Sequence, residues 1–387
     1  MNTLYLFLIY VLCISISCVL AGSFIHIGDI HYDQFYEEGT PTNCLFKNTG
    51  MGCCRNLSIP VEPQGSASYW GEYNCDTPFS LLNATINWIR ENLIYDFVFY
   101  TGDSASHWVI HQDWKTNFDA IKTVSELLST LGKPIYSVLG NHDSFFVDQL
   151  YNKNPVINDV SELFNSLNLT FNYSQGYYRA NLADTGMDIC GITSLWYDSN
   201  NLLHILNPTA DLNDQFAWGK DNLKGCILLA HIYPRTSEAS PEFDEFIKTI
   251  SPYREFYGHS HSDKFIIINA NTTSPRVGLI PLSIVPSGHF PGIRRYIYAS
   301  PFILLDYEQF YLNLTKQKEK SAFVGYDFSY SAREEYTLKD MTAESWLDLA
   351  YRMQNDTKLY NKYCSNMNPP SLECPQGLLC DISPIFC

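Results

Sequence analysis

Five of the ten histidines and three aspartates of this sequence lie in five short blocks, each placed directly after an apolar run. The blocks are residues 28–31, 102–103, 140–143, 230–231 and 258–261. They contain two carboxylates, one amide and four imidazoles that suit a metal: Asp29, Asp103, Asn141, His31, His231, His259 and His261. His142 adds a spare imidazole beside the amide. This set is sufficient for a pair of divalent ions, and it predicts a hydrolytic site.

The donor atoms also indicate which metals and substrates the site would take. Mixed nitrogen and oxygen ligands suit zinc, iron or manganese better than calcium. Asp103 could bridge two ions, because each of its carboxylate oxygens can bind one. Two ions lower the pKa of a bridging water and hold both oxygens of an in-line displacement, so phosphate esters are the expected substrates. Each block alone is weak evidence, since Gly-Asp and Asp-x-His are common in loops, but the five together are specific.

Short strands and helices must position these blocks. The apolar runs before them are rich in residues that favour strands, and they cover 24–27, 97–100, 135–139, 227–229 and 256–257. Trp114, Phe118 and Ile121 recur at helical spacing, and a second helical pattern covers 81–89. Strands that stop together at one sheet edge would direct all the ligands into one crevice.

Two further β-rich segments, 182–196 and 265–284, have no intervening helix and predict a second, mixed sheet packed on the first. The predicted fold class is therefore α/β, a two-sheet α/β/β/α sandwich. After about residue 307 a helical pattern around Trp346 is followed by a four-cysteine tail. We expect a catalytic domain over 22–306 and a small helical, disulfide-pinned appendage over 307–387.

The N-terminus has the pattern of a secretory signal peptide. Residues 4–20 are apolar, and 19–21 include small residues at the cleavage positions, so we expect residues 1–21 to be removed. Because no Lys or Arg precedes the apolar run, a retained membrane anchor is the alternative. No later stretch is long and apolar enough to span a bilayer. A secreted or lysosomal protein without a stable membrane anchor is the favoured interpretation.

The cysteines and sequons support export independently. Cys13 and Cys18 leave with the signal, and the remaining ten fall mainly into an early and a C-terminal group, which predicts local disulfides. Cys190 and Cys226 lie in apolar, strand-like runs, and we expect them to be free core thiols. Seven Asn-x-Ser/Thr sequons predict glycosylation, at Asn56, Asn83, Asn168, Asn172, Asn271, Asn313 and Asn355.

The overall charge excludes one class of partner. The 387-residue chain has a formal net charge of −16, so no basic stripe is present to neutralise a nucleic-acid scaffold. Charged residues make up only 17% of the chain, which argues against a long disordered tract. We expect a monomer with one catalytic unit that acts on a small-molecule phosphodiester or nucleotide, with a sphingolipid as the second option.

The order of the five blocks resembles that of the calcineurin-like metallophosphoesterases. The resemblance implies that one metal takes Asp29, His31 and His261, that the other takes Asn141, His231 and His259, and that Asp103 bridges them. It also implies that His142 is no ligand but protonates the leaving group or steadies the phosphate, with Asp143 orienting its ring.

A narrower resemblance, to the acid sphingomyelinase-like phosphodiesterases, rests on segments between the ligands. These are residues 70–78, His107 four residues after Asp103, and residues 211–218, 291–294 and 311–315. The resemblance implies that His107 joins His142 near the leaving group, and a hydrogen-bonding role behind the ligands is the alternative. It also implies the pairs Cys44–Cys53 and Cys54–Cys75, whereas the C-terminal pairing stays open because the spacings differ.

Three other residues near these segments have open roles. Arg294 or Arg295 could contact a phosphate or form a surface salt bridge, and His289 could touch substrate. Phe290 stands where the family pattern has Asn before the proline, which leaves the shape of this loop open.

The expected function follows from the two resemblances together. It is that of a secreted or lysosomal phosphodiesterase with two divalent ions, zinc being favoured, in which a metal-bridged hydroxide attacks phosphorus. Full-length acid sphingomyelinases carry an upstream lipid-presenting domain, whereas here the first block begins about eight residues after the predicted cleavage site. We therefore expect a soluble, nucleotide-like substrate first and sphingomyelin second. The same residues would also serve a metal-dependent phosphomonoesterase, and a secreted binding protein that keeps the fold without catalysis is a third class.

Overall fold

The structure is a computed structural model that describes residues 21–45, 52–56, 58–108, 113–150, 155–167, 169, 175–286, 288–371 and 373–387. The strands are β1 Ala21–Ile27, β2 Phe97–Tyr100, β3 Ile135–Ser137, β4 Tyr178–Leu182, β5 Met187–Gly191, β6 Ile227–Leu229, β7 Arg254–Phe256, β8 Lys264–Ile268, β9 Arg276–Ile280, β10 Gly292–Ala299, β11 Ile303–Tyr311 and β12 Asp327–Ser331. The α-helices are α1 Phe79–Asn92, α2 Trp114–Ser129, α3 Pro155–Ser166, α4 Leu202–Leu206, α5 Gln215–Asn222, α6 Pro241–Thr249, α7 Leu314–Lys318, α8 Ala332–Glu335, α9 Ala343–Asn355, α10 Thr357–Met367 and α11 Leu378–Ile382.

The strands form two six-stranded sheets. In the first sheet the order is β12-β11-β10-β1-β2-β3, where β1, β2 and β3 run parallel and β10 is antiparallel to β1. The second sheet has the order β4-β5-β6-β7-β9-β8, with parallel pairs in the middle and antiparallel pairs at both edges. The predicted α/β fold with a second, mixed sheet is therefore confirmed.

Two amphipathic helices connect the parallel strands of the first sheet. The buried positions of these helices share a helical spacing: Leu82, Ile86 and Ile89 in α1, and Ile121, Val124 and Leu128 in α2. The side chain of Asp113 caps α2 by accepting a hydrogen bond from the backbone nitrogen of Thr116. Parallel neighbours need such a crossover, so β1, β2 and β3 all end at the same edge of the sheet.

The two sheets pack face to face through aromatic side chains. The ring of Phe24 on β1 lies 5.6 Å from that of Phe256 on β7, edge to face, and Phe99 on β2 lies 5.1 Å from Phe256. All three rings are fully buried. Such contacts add to the hydrophobic stabilisation. They fix the strand ends of one sheet relative to those of the other.

The five apolar runs that precede the blocks are strands, but they belong to both sheets. Runs one to three form β1, β2 and β3 in the first sheet, and runs four and five form β6 and β7 in the second. The crevice therefore lies where the ends of two packed sheets meet, not along the edge of a single sheet as the sequence suggested. Periodicity identifies a strand but does not tell which sheet it joins.

The C-terminal segment combines strands and helices. β11 pairs with β10 across residues 306 and 307, and β12 extends the same sheet, so the first sheet continues past the expected domain boundary. After the short helix α7, the main helical part begins at Ala332, and Trp346 of α9 packs on Phe265 of β8 with ring centroids 4.7 Å apart. Disulfides join Cys364 to Cys374 and Cys380 to Cys387. A helical, disulfide-pinned C-terminal appendage is confirmed.

The disulfides of the main body agree with one expectation and correct another. The pairs Cys44–Cys53 and Cys54–Cys75 are those implied by the resemblance. Cys190 and Cys226, expected as free thiols, instead form a disulfide, with Cα atoms 6.1 Å apart. The reason is that Cys190 lies on β5 and Cys226 directly precedes β6, its parallel neighbour. This adjacency brings two residues that are distant in the sequence within bonding range.

Removing the Cys190–Cys226 bond should measurably destabilise the protein. We expect a Cys190→Ala, Cys226→Ala double variant to lose about 2–4 kcal/mol of unfolding free energy, because the bond restricts a long loop in the unfolded chain. The two residues are 36 positions apart, whereas Cys380 and Cys387 are 7 apart. Equilibrium unfolding in urea would measure the loss for this variant and for the control, a Cys380→Ala, Cys387→Ala double variant. We expect the control to lose less, because its bond closes a shorter loop. An unchanged free energy in the Cys190→Ala, Cys226→Ala double variant would contradict the bond.

Several sequence predictions fall outside the described residues. These are the signal peptide up to residue 20, with Cys13 and Cys18, and the sequons at Asn168 and Asn172. The first described residue, Ala21, already pairs with Ala299 in β1. Among the described residues, no helix has both the length and the apolar character needed to cross a membrane.

Candidate metal centre

The predicted ligands converge in the crevice between the two sheets. Those from blocks one to three follow β1, β2 and β3, and those from blocks four and five follow β6 and β7. Hydrogen bonds join these loops directly: the nitrogen of His31 donates to Asp103 O at 2.9 Å, and that of Gly258 donates to His231 O at 3.0 Å. The strand ends and their mutual hydrogen bonds together hold the side chains in one place.

One group of four side chains forms the first candidate metal position. Asp29, His31, Asp103 and His261 have ligand atoms that all lie within 4.8 Å of one another. His31 Nε2 lies 3.0 Å from His261 Nε2 and 3.3 Å from Asp103 Oδ2. Asp29 and His31 are fully buried, whereas His261 is partly exposed at the crevice. These are the ligands that the resemblance assigned to one metal and the bridge.

A second group lies on the other side of Asp103. The ligand atoms of Asp103, His231 and His259 lie within 4.8 Å of one another. His231 Nε2 is 3.2 Å from Asp103 Oδ2 and 2.9 Å from Asn141 Oδ1. The structure therefore brings together every residue that the sequence suggested for the second metal.

Asp103 connects the two groups in a way that differs from the expectation. Its Oδ2 faces the Nε2 atoms of both His31 and His231, at 3.3 and 3.2 Å. Its Oδ1 is occupied, because it accepts a hydrogen bond from the backbone nitrogen of His142 at 2.9 Å. A bridge would therefore use one shared oxygen and not one oxygen for each ion. Burial raises the pKa of this carboxyl, but the charges of His231 and His31 outweigh it and hold the pKa well below the usual value.

The tautomers of two buried histidines make this donor set suitable for cations. His31 Nδ1 lies 2.9 Å from Ala105 O, and His231 Nδ1 lies 2.7 Å from Thr101 O. Because a carbonyl oxygen only accepts, each Nδ1 carries a proton, which makes Nε2 the nitrogen that would bind an ion once the ion displaces the proton there. Asp29 Oδ2 is also buried and makes no hydrogen bond within the described residues. Lone pairs that converge in this way fit bound metal ions.

Unusual backbone conformations support the same interpretation. Five of the seven predicted ligands have positive φ angles near the left-handed region: Asp29 at 48°, His31 at 45°, Asp103 at 61°, His259 at 71° and His261 at 55°. Residues other than glycine seldom adopt this conformation, and it costs free energy. Strained residues of this kind concentrate at functional sites, where the surrounding structure maintains them.

Gly140 allows the second and third blocks to approach each other closely. A Cβ atom on Gly140 would overlap both Oδ1 and the backbone nitrogen of Asp103. A Cβ on Gly102 would in turn overlap the backbone of Gly140. The two glycines are therefore required by contact between backbones, and not only by the turns that contain them.

A methyl group at Gly140 should displace the bridging carboxylate. We expect Gly140→Ala to lower phosphodiester hydrolysis by about 10²-fold or more, since small misplacements of reacting groups have effects of this size. Steady-state kinetics together with the metal content would measure the effect. Gly132→Ala is the control, because Gly132 also has a positive φ but has open space around its Cα. Wild-type kinetics in the Gly140 variant would contradict the proposed role of this contact.

The position of Asp143 contradicts the role expected for it. It does not hydrogen-bond the ring of His142. Instead its Oδ2 accepts from the backbone nitrogens of Asp103 and Gly140, both at 2.9 Å, and its Oδ1 accepts from Ser104 at 2.7 Å. The side chain points back under the loop because these backbone donors are buried and need an acceptor. Asp143 thus holds the bridging Asp103 in place, and it does not orient His142.

His142 lies beside the first candidate metal position, and its Nδ1 is unengaged in the described part of the chain. Its Nδ1 is buried and has no hydrogen-bond partner among the described residues. The ring lies 5.0 Å from that of His31 and 4.6 Å from that of His107, measured between centroids. Burial lowers the pKa of His142 well below its usual value, so the free ring is neutral. A neutral ring can donate a hydrogen bond to a phosphate oxygen, and it must take up a second proton before it can protonate a leaving group.

His107 is held by a carboxylate that sequence reasoning missed. Asp76 accepts from both the Nδ1 of His107, at 2.7 Å, and its backbone nitrogen, at 2.8 Å. The His107 ring stacks on that of His31 with centroids 3.6 Å apart. Burial opposes ionisation of Asp76, but His107 outweighs it and lowers the pKa of this carboxyl. The available signal was that Asp76 follows Cys75, whose disulfide to Cys54 anchors the segment.

The remaining candidates lie outside the ligand groups. Arg294 is fully buried and pairs with Asp263, so it forms an internal ion pair, and Arg295 pairs with Glu308 near the surface. His289 is buried, and its ring centroid lies 6.5 Å from that of His261. Because Arg294 is buried in its pair with Asp263, it is unable to contact a phosphate in this arrangement.

Comparison with known proteins gives a family and several relatives. A family model described as calcineurin-like phosphoesterase matches residues 22–263. Human sphingomyelin phosphodiesterase is 26% identical over 387 residues, covering 89% of this chain and 60% of its own. Sphingomyelinase phosphodiesterase C of Dictyostelium discoideum is 27% identical, covering 93% of this chain and 90% of its own. Cyclic GMP-AMP phosphodiesterase SMPDL3A of Rattus norvegicus is 24% identical, covering 88% and 83%.

These matches agree with both resemblances found in the sequence. The chain spans about six tenths of the length of the human sphingomyelin phosphodiesterase that it matches. The family match covers all five ligand blocks, and it confirms the expected class of enzyme, a phosphoester hydrolase. The protein belongs to the calcineurin-like phosphoesterase family.

Proposed function

We propose that this protein is a dinuclear, metal-dependent phosphodiesterase that hydrolyses phosphodiester or phosphoanhydride bonds. The observation that carries the proposal is the position of Asp103 Oδ2, which faces one imidazole nitrogen of each ligand group at 3.3 and 3.2 Å. A single carboxylate oxygen shared in this way suits two adjacent cations. The family and the phosphodiesterases among its relatives support the reaction type.

Zinc is the metal that the donor set favours. Asp29, His31 and His261 would hold one ion, Asn141, His231 and His259 the other, and Asp103 both. Four imidazoles, two carboxylates and one amide oxygen form a mixed set that suits zinc and is unlike the all-oxygen sites of calcium. Two bound zinc ions would act as Lewis acids toward the phosphoryl oxygens and would lower the pKa of a bound water.

The other side chains of the crevice would position groups and transfer protons. Asp143 keeps the loop of Asp103 in place through backbone hydrogen bonds. Asp76 occupies Nδ1 of His107, which leaves Nε2 of that ring free to face the leaving oxygen. His142 lies next to it with an unengaged Nδ1. Either imidazole could protonate the departing oxygen, and general-acid catalysis of this kind contributes about 10²–10⁴-fold to the rate.

A soluble, nucleotide-like substrate is the first choice. The relative named for cyclic GMP-AMP matches over 83% of its own length, whereas the human sphingomyelin phosphodiesterase matches over 60%. The crevice also brings imidazoles and carboxylates close together. Polar walls of this kind suit a charged substrate that enters from water.

Sphingomyelin is the second candidate, and exposed apolar side chains on the segments that follow the third block and form α4 favour it. Phe146 follows the third block and is 62% exposed, and Leu206 on α4 is 72% exposed. Gln149 ties the two segments together, because its side chain accepts a hydrogen bond from the backbone nitrogen of Leu202. The Dictyostelium relative, which matches over 90% of its length, is also named as a sphingomyelinase.

A substrate comparison with controlled metal content tests the proposal. Protein stripped by a chelator and reloaded with zinc would be assayed at pH 5 and pH 7 on a nucleoside triphosphate, a cyclic dinucleotide, sphingomyelin micelles and p-nitrophenyl phosphate. We expect two zinc ions per chain and the fastest turnover on a nucleotide. Faster turnover of sphingomyelin would favour the lipid, and faster release from the monoester would favour a phosphomonoesterase. If the protein neither hydrolyses any of these substrates nor binds metal, the result would favour a non-catalytic binding protein.

We also propose that the protein is exported, glycosylated and monomeric. Five disulfides in the described residues suit an oxidising compartment such as the secretory pathway. Among the described sequons, Asn56, Asn271 and Asn355 are exposed, and Asn313 uses its side chain to cap α7. Mass spectrometry before and after enzymatic deglycosylation would identify the occupied sites. Light scattering would measure the oligomeric state.

A further inference from the structure

Two carboxylates lie directly behind the second ligand group without belonging to it. Glu238 Oε2 lies 2.8 Å from Nε2 of His259. Asp148 Oδ1 accepts a hydrogen bond from Nδ2 of Asn141 at 2.9 Å. Neither carboxylate is among the residues whose ligand atoms cluster within 4.8 Å of one another. Each therefore contacts a proposed ligand from its outer side.

The contact with Glu238 determines how His259 can bind a metal. With Nε2 engaged by Glu238, Nδ1 is the nitrogen of His259 that remains for an ion. A carboxylate on the far nitrogen of a ligating histidine fixes its tautomer and raises the basicity of the ligating nitrogen. His31 and His231 differ, because their outer partners are the neutral carbonyls of Ala105 and Thr101.

Asp148 determines which atom of the Asn141 amide faces the metal position. Because a carboxylate accepts, the amide group that points to Asp148 is the NH₂. The carbonyl oxygen of the side chain is then turned toward His231, where it lies 2.9 Å from Nε2. The backbone nitrogen of Asp148 also donates to Asn141 O at 3.1 Å, so the two residues are held at both main chain and side chain.

The distribution of charge explains why the second position has such partners. The first ligand group includes two carboxylates, Asp29 and Asp103, whereas the second has only the shared Asp103. A divalent ion at the second position would thus have less negative charge in direct contact. Glu238 and Asp148 add negative charge behind the second group through their contacts with His259 and Asn141.

We propose that Glu238 and Asp148 are positioning residues that orient His259 and Asn141 and set the affinity of the second metal position. The inference rests on the proposed dinuclear site. Glu238 and Asp148 lie outside the ligand set but would control how tightly the second position binds its ion. The first position would bind its ion independently of them.

Metal affinities of single variants test this inference. Zinc dissociation constants for both positions would be measured by competition with a chromophoric chelator, together with the metal content and the melting temperature of the metal-free protein. We expect Glu238→Ala and Asp148→Ala to weaken the second position by about 10–100-fold and to leave the first position unchanged. Glu238→Gln and Asp148→Asn keep an acceptor oxygen, so we expect them to recover part of the loss.

Two variants serve as matched controls. Glu242 pairs with His204 outside the ligand groups, and its carboxylate is 33% exposed, compared with 35% for Glu238. Asp159 accepts from Trp114 Nε1 at 2.8 Å, which matches the side-chain contact of Asp148. We expect Glu242→Ala and Asp159→Ala to leave both dissociation constants unchanged, so that the loss of a partly exposed carboxylate alone does not explain the effect.

Four results would overturn the inference. Unchanged affinity of the second position in Glu238→Ala and Asp148→Ala, in a protein whose wild type binds two ions, would refute it while leaving the proposed function intact. Equal weakening of both positions would show a general structural role. A loss in Glu238→Ala as complete as in His259→Ala would make Glu238 a ligand. A wild-type protein that binds only one ion would overturn the proposed function and this inference together.

Discussion

Asp103→Asn is expected to reduce phosphodiester hydrolysis by about 10³-fold or more, the loss that follows when several kcal/mol of metal-dependent stabilisation disappear. Asparagine tolerates the positive φ of 61° at this position, so the backbone should be retained. Its carbonyl oxygen can still accept from the His142 nitrogen, which places the NH₂ where Oδ2 now faces His31 and His231. A donor would then replace the shared acceptor, and the bridging charge would be lost.

The measurement combines hydrolysis of bis(p-nitrophenyl) phosphate with metal analysis and a melting curve. The same exchange at Asp159, whose carboxylate lies outside the crevice, is the control for a general effect of removing a carboxylate. Wild-type turnover in a folded Asp103→Asn protein would contradict the proposed site. A fall in bound metal along with the fall in rate would support the shared oxygen as the bridge.

His142→Ala is expected to slow hydrolysis by about 10²–10⁴-fold when the leaving group is an alkoxide. The reason is that a poor leaving group needs a proton, whereas p-nitrophenolate departs readily without one. We therefore expect a much smaller loss with bis(p-nitrophenyl) phosphate. The ratio of the rates on the two substrates isolates the proton transfer from any loss of binding or metal.

His107→Ala, assayed on the same pair of substrates, identifies the acid. If His107 donates the proton, its variant will show the larger dependence on the leaving group, and Asp76→Ala should reproduce part of that effect by releasing the ring. If His142 donates it, the order is reversed. A His142→Ala protein with the wild-type ratio of rates would remove this residue from the proton transfer.

The sequence was sufficient to predict the elements of the fold and the set of candidate ligands. Short apolar runs mark buried strands well, so β1, β2, β3, β6 and β7 were expected at the positions where they occur. The ligands could be found because each directly follows such a run, and a strand end limits where a side chain can point.

What the sequence did not reveal depends on contacts between distant parts of the chain. The Cys190–Cys226 bond requires knowing that β5 and β6 are neighbours. The outer partners Asp76 and Glu238 are single carboxylates in loops, and local pattern does not distinguish them from solvated surface residues. From the resemblance, Asp143 was expected to orient the ring of His142, whereas the buried backbone donors of its loop engage both of its carboxylate oxygens.

The left-handed backbone of five of the proposed ligands should make the stability of the fold depend on the metal concentration. Each such residue costs about 1–3 kcal/mol, so the group costs about 5 kcal/mol or more, comparable with the whole net stability of many domains. Bound ions would offset this cost, because a ligand that binds only the native state stabilises it in proportion to its affinity and concentration. In a metal-poor compartment the same crevice loops would open first, while the aromatic interface between the sheets stayed closed. Scarcity of metal would therefore weaken the crevice before it weakened the core between the sheets.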